Sequence, residues 1–258
     1  MVPAGASGTK ARRTNNRWGE DPSDTPCFGL QDMFLDDIVA NLNRSIFNYP
    51  EVLDYLRGRG VSENEIKTYG IGYGKIVVVP EENSPDRKRF MEETAKGRKF
   101  EERVIFPMRD AMGRVIGIIG RSITVKGFKV FATDEAKFHG MFVGLFEALP
   151  HIYKESRVFV VEGPFDWIAL CKVLPNTVST MTADLNEAQH WLLKLYCDRI
   201  VTVFDSDEAG RRAAETAEKK FGTLTLDLGH GDPSNCFKRL GFSFQNYVLK
   251  KLKDIPTF

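Results

Sequence analysis

From residue 157 the chain changes rhythm, and that rhythm constrains the fold more than any other feature. Apolar runs alternate with longer amphipathic stretches: RVFVVEG, PFDWIALCKVL, NTVSTM, NEAQHWLLKLY, DRIVTVFD, DEAGRRAAETAEKKFG and TLTLDL. The short runs read as strands and the longer ones as helices. Pro164 stands in the first turn of its helix, where a missing N–H does no harm. The DEAGRRAAETAEKKFG helix opens on acids, closes on Lys219 and Lys220, and stops at Gly222. Strands alternating with helices predict an α/β fold, a parallel sheet with helices on both faces.

The upstream half reads differently. Residues 31–70 form short helices: EVLDYLRGRG puts Val52, Leu53 and Leu56 on one side before a Gly stop, and SENEIKTYG opens with a capping-box spacing. KIVVVP reads as a strand ended by Pro80. Residues 81–103 are dense in charges of both signs and read as a solvated loop or exposed helix. RVIFPMRDAMGRVIGIIGRSI reads as a hairpin about DAMG, with FKVFAT as a further strand and GLFEALP as a short helix. Residues 1–30 are polar, with Lys10, Arg12, Arg13 and Arg17, and read as a flexible leader. SFQNYVLKKLKDI near the C-terminus reads as an amphipathic helix. The expected organisation is a leader (1–30), a smaller mixed helix-and-antiparallel-strand subdomain (31–150), an α/β subdomain (151–240) and a C-terminal helix (241–258).

Composition excludes several function classes. The net charge of the 258 residues is +1, so a polyanionic partner has to be met by a local patch. The four cysteines are scattered without a CxxC pair or His/Cys ligand spacing, which argues against a structural zinc module. No signal peptide or apolar run of transmembrane length appears, so a cytoplasmic protein away from membranes is expected. No GxxxxGK[ST] loop appears, which argues against an ATP-driven motor.

The candidate chemistry lies where apolar strands stop. VFVVE ends at Glu162 and VTVFD at Asp205, and in open α/β sheets sites form outside the carboxyl ends of the strands. Asp207 follows Asp205 by two residues, Asp166 follows Glu162 by one helical turn, and Asp232 sits in the loop GHGDPSN. Asp207 also fits a plain helix N-cap. Carboxylates converging on one rim repel one another unless a cation or shifted pKa values relieve them. Mg²⁺ accepts one or two carboxylates together with substrate phosphates.

VVEGPFDWIAL followed by VFDSDEAGRRAA resembles the EGxxD and DxD segments of the TOPRIM domain. ERVIFPMRDAMGRVIGIIGRSI, YLRGRGVSENEIKTYGIGY and FKVFAT…KFHGMFVGLFEA resemble, in family order, the polymerase core of bacterial DnaG-type and phage primases. The resemblance runs over roughly residues 45–240. It implies a TOPRIM Rossmann-like sheet behind a smaller mixed, basic subdomain. It also implies Mg²⁺- or Mn²⁺-dependent synthesis of short RNA primers on single-stranded DNA. By motif position Glu162, Asp205 and Asp207 are the catalytic acids, with Asp166 and Asp232 as further metal ligands. Glu162 stands as either metal ligand or general base. Where many members have a second Asp after the Pro of the late motif, this chain reads DPS, leaving Asn235 as a weak substitute. Arg109, Arg121, Lys129 and Lys137 are the expected NTP- or template-binding residues.

The same acids would suit a TOPRIM nuclease of the OLD type, which the primase-like upstream segments argue against. A topoisomerase needs a tyrosine in a further large domain. A non-catalytic nucleic-acid-binding or scaffold subunit is the reading from a different class, opposed by the complete Glu-Asp-Asp set. The expected partners are single-stranded DNA, NTPs, and a replicative helicase or separate template-recognition module. The C-terminal helix is expected to cap the domain or dock such a helicase.

Overall fold

The computed structural model describes residues 34–74, 100, 102–124, 127–132 and 140–255, together with 88 and 92. The leader, the KIVVVP strand, most of the charged stretch and Lys137 lie outside these residues. Lys129 is described only as backbone.

Three helices come first: α1 (Phe34–Ser45), α2 (Pro50–Gly58) and α3 (Glu63–Tyr69). Leu35, Ile38, Val39 and Leu42 repeat at helical spacing along α1 and are all buried. The capping box of α3 is present as read. The Glu65 N–H donates to Ser62 Oγ (3.2 Å), and the Ser62 N–H donates to the Glu65 carboxylate (2.8 Å).

The hairpin is β1 (Arg103–Arg109) and β2 (Val115–Ser122), with β3 (Phe128–Ala132) antiparallel to β2. The Asp110 carboxylate closes its turn, accepting from the N–H groups of Met112 and Arg114. α1 covers one face of this sheet through Ile105, Val115 and Ile118. Phe106, Met108 and Ile119 belong to a different apolar cluster, shared with the second sheet.

That second sheet holds β4 (Arg157–Val161), β5 (Thr177–Ser179), β6 (Arg199–Thr202) and β7 (Leu224–Thr225), all parallel, in the order β5-β4-β6-β7. Between them run α5 (Pro164–Cys171), α6 (Glu187–Lys194) and α7 (Glu208–Phe221). α4 (Leu145–Glu155) precedes β4. α8 (Pro233–Leu240) and α9 (Phe244–Leu252) follow β7. Alternation along β4 sends Val158 and Val160 to one apolar cluster, with α4 and α6. Phe159 and Val161 go to the other, with α5, α9 and the first sheet. The Phe165 ring joins the layers, lying 5.3 Å from Phe106 and 6.0 Å from Tyr55 between ring centres.

Three readings are refined. GLFEALP extends past Pro150 to Glu155, because Leu149 and Ile152 continue a buried stripe that outweighs one lost helix bond. TLTLDL yields only two ladder residues. GHGDPSN is the start of α8, with Asp232 as N-cap and Pro233 in the first turn, as well as a loop. No described helix is long and apolar enough to cross a membrane.

Candidate active site

The chain runs from β4 outward to β5, then returns across β4 to β6. β4 and β6 are therefore neighbours whose connections diverge, and a crevice opens at their carboxyl ends. Val160 pairs with Thr202. Glu162 and Asp205 lie just beyond, and the Asp205 N–H donates to Glu162 Oε1 (3.2 Å). A cavity of about 480 Å³ opens there, lined by Glu162, Asp166, Asp205 and Asp232 together with Arg59 and Arg121.

Glu162 is half-buried and its carboxyl is pushed up to about 7, first by burial and then by the charges of Asp205, Asp207 and Asp232. Asp205 is pushed up to about 6 by burial and by Asp232 and Asp207. Among the described residues no donor reaches its carboxylate. Asp166 accepts from the Ser234 N–H (3.1 Å) and is held well above the usual carboxylate range by burial and the adjacent Asp232. Asp232 caps α8, and Asn235 donates to it from both backbone and side chain (2.5 and 2.6 Å). The amide nitrogen of Asn235 is thus engaged by Asp232, and only its oxygen is left as a donor to a cation. Asp207 caps α7, accepting from the Gly210 N–H (2.8 Å). It lies outside the cavity wall, though its charge is felt by Glu162 and Asp205.

Two features tie the acids down. Ser206, the small residue between the two aspartates, donates to Asp227 (2.7 Å), and its N–H donates to the Gly231 carbonyl (3.1 Å). That latch joins the Asp205 and Asp232 loops. Gly210 lies so close behind Asp205 that a Cβ there would sit 2.1 Å from the Asp205 carbonyl oxygen.

The basic residues separate. Arg121 reaches the cavity. Arg109 does not: its guanidinium donates to Glu147 (2.8 Å) and to the Tyr69 carbonyl (3.2 Å), binding β1 to α4 and α3. Arg59, absent from the sequence reading, lines the cavity with its guanidinium 4.8 Å above the Phe165 ring. Its sequence signal is weak, because only the packing of α2 against α5 brings it there.

Hard oxygen donors in an overcharged pocket suit a divalent cation. Among the described residues no three carboxylates stand close enough to hold one together. The raised groups also set a stability test. Their stabilising contribution is full below the unfolded values of roughly 4, and is lost as pH rises through about 6 and 7. Without divalent ions the protein is therefore expected to melt lower at pH 8 than at pH 5. The part from this pocket is about 2 kcal/mol, or about 4–8 °C. Added Mg²⁺ or Mn²⁺ should narrow the gap in thermal melts.

A family model described as Toprim-like matches residues 159–228, and one described as the DNA primase catalytic core, N-terminal domain, matches residues 41–140. The DNA primase of Helicobacter pylori strain J99 is 29% identical over 246 residues, covering 87% of this chain and 43% of that protein. The chain spans less than half the length of the first curated relatives it matches. The E. coli primase catalytic core shares the fold with a TM-score of 0.69 at 24% identity, over 86% of this chain and 79% of that one. A structure of the DnaG primase catalytic domain bound to single-stranded DNA matches with a TM-score of 0.65 at 24% identity, over 84% and 79%. The two family models follow one another in primase order and meet the acid-lined crevice at their junction. This chain therefore carries the TOPRIM-fold catalytic core of the DnaG-type primases.

Proposed function

We propose that this chain is a DNA primase catalytic core, a DNA-directed RNA polymerase that joins NTPs into short primers on single-stranded DNA. One observation carries the reading: Glu162 and Asp205 meet across the two central strand ends, in one cavity with Arg59 and Arg121. Residues 31–150 supply its basic wall and residues 151–240 its acidic one.

Glu162, Asp205 and the oxygen of Asp207 not engaged in capping are the groups to hold Mg²⁺ or Mn²⁺, with Asp166 and Asp232 behind them. Such ions, when bound, neutralise the triphosphate and stabilise the attacking and leaving oxygens. The protein's own share is positioning. Arg121 and Arg59 present planar forks to phosphate oxygens, and the stacking of Arg59 on Phe165 sets its fork in advance. Glu162, titrating near neutrality in the free pocket, is suited either to binding an ion or to taking the proton of the attacking hydroxyl. The 3′-hydroxyl of one nucleotide attacks the α-phosphate of the next and pyrophosphate leaves. The bound-DNA relative supports a single-stranded template here. A helicase or separate recognition module on another chain is the proposed route to the template.

The protein is to be incubated with single-stranded DNA, labelled NTPs and Mg²⁺ or Mn²⁺, beside an Asp205→Asn/Asp207→Asn variant. Short RNA lost in the variant supports priming. Shortened DNA without RNA would assign the acids to a nuclease, and binding with neither reaction to a scaffold. The arginines divide further. Arg121→Ala is expected to raise the KM for NTP by about 10- to 100-fold, the worth of a charge-assisted hydrogen bond. Arg109→Ala should leave that KM alone and lower the melting temperature by about 2–8 °C, through the half-buried pair with Glu147.

A further inference from the structure

A second concavity, of about 410 Å³, lies at the far end of α8 from the acids. Its floor is Phe237 and Phe244, whose rings meet edge-to-face at 5.3 Å. The Lys172 ammonium stands over Phe237 at 5.4 Å, and its charge is already paired with Glu65. At the rim Phe242 is fully exposed, at 106%. Among the described residues nothing covers this ring.

The two helices that flank it, α8 and α9, carry charge of one sign. Residues 233–253 carry Lys238, Arg239, Lys250, Lys251 and Lys253 and not one Asp or Glu, in a chain whose net charge is +1. Lys238, on α8, lies close enough to Arg59, Asp232 and Asp166 to feel their charges, so the basic run of this helix reaches the neighbourhood of the acid cavity. α8 has eight residues, and its start lines that cavity through Ser234. An eight-residue helix is about 12 Å long, the rise of about three to four stacked nucleotides.

We propose that the Phe242 groove is a stacking platform for the single-stranded DNA template, about three to four nucleotides from the site of synthesis. A base has to be unpaired to lie on an exposed ring, which selects the template strand before it pairs with a primer. The lysines and arginine along α8 and α9 track its phosphates. This inference rests on the primase reading for its direction, but the binding itself needs no catalysis.

The test uses the whole chain, a short dye-labelled single-stranded DNA, EDTA and no NTP, followed by fluorescence anisotropy across a salt series. Phe242→Ala is expected to weaken binding about 5- to 20-fold, as loss of one stacked base does. Its salt slope should stay unchanged, and Phe242→Trp should restore affinity. Lys238→Gln should lower the salt slope by about one. A 2-aminopurine in the strand should lose its quenching in Phe242→Ala. An unchanged affinity in Phe242→Ala overturns the proposal. So does a wild-type chain that binds no single strand, an equal loss for duplex DNA, or tighter binding of a matched RNA. Unchanged DNA affinity with altered self-association on sedimentation would make the groove a protein surface. If Phe242→Ala weakens binding in a chain that makes no primers, the groove stands without the polymerase reading. If primers form and Phe242→Ala binds normally, the polymerase reading stands without the groove.

Discussion

Asp205→Asn is expected to abolish primer synthesis, by about 10³-fold or more, while making the metal-free protein more stable at pH 8. Both halves follow from one arrangement. The Asp205 carboxylate faces the cavity with no donor among the described residues, and burial, with the charges of Asp232 and Asp207 added to it, holds its proton affinity up to about 6. Removing its charge relieves burial and repulsion that the folded state bears alone, worth about 1 kcal/mol once screened by solvent. The proposed phosphoryl transfer depends on the same charge, and loss of one well-placed electrostatic contact to a developing charge costs about 10²–10³ in rate. A dead enzyme with a lower melting temperature at pH 8 would contradict the electrostatic account. A fully active one would remove Asp205 from the chemistry. Opposite movement of activity and stability is a known mark of residues kept for function.

Gly210→Ala is the second large effect, and helix propensity alone predicts its opposite. Gly210 lies in the first turn of α7, where Ala gains about 1 kcal/mol over Gly. Its Cβ, however, would stand 2.1 Å from the Asp205 carbonyl oxygen and 2.8 Å from that residue's amide nitrogen. Backbone has no flexible end to yield, so either the Asp205 peptide or the start of α7 moves, and Asp205 or Asp207 moves with it. A displacement of about 1 Å costs about 10² in rate. The expected outcome is a folded, cooperative protein with turnover down about 10²-fold or more. Circular dichroism and primer assays together check it. Wild-type turnover in Gly210→Ala would show that the Asp205 backbone is not held where the chemistry requires. Gly222→Ala is the contrast: it strains the left-handed cap of the same helix at φ 67° and should lower stability, but with nothing near its Cβ it leaves Asp205 in place and turnover unchanged.

Much of this site was legible in the sequence because its signals are local. Strand ends, capping residues and the β-α alternation are written within a few residues of one another, so Glu162 and Asp205 could be placed before any fold was seen. Asp207 was legible as a helix cap, and the cap on α7 is what the geometry displays. The basic wall was not legible. Arg109 and Arg121 sit on the two strands of one hairpin, and nothing nearby in sequence says that Glu147 captures the first while the second faces the cavity. Arg59 enters only because Phe165 offers it a ring. α8 was hidden by the glycines of GHGDPSN, although the Asp-Pro start was in plain view.

One cluster of apolar side chains runs from Ile46 through Phe106 and Phe165 to Val248, beneath both walls of the crevice. Ile119 and Val203, each two residues from Arg121 and Asp205, belong to that one cluster, so both walls stand on a common core. A change of volume anywhere along that shared packing is therefore expected to be felt at both walls of the crevice.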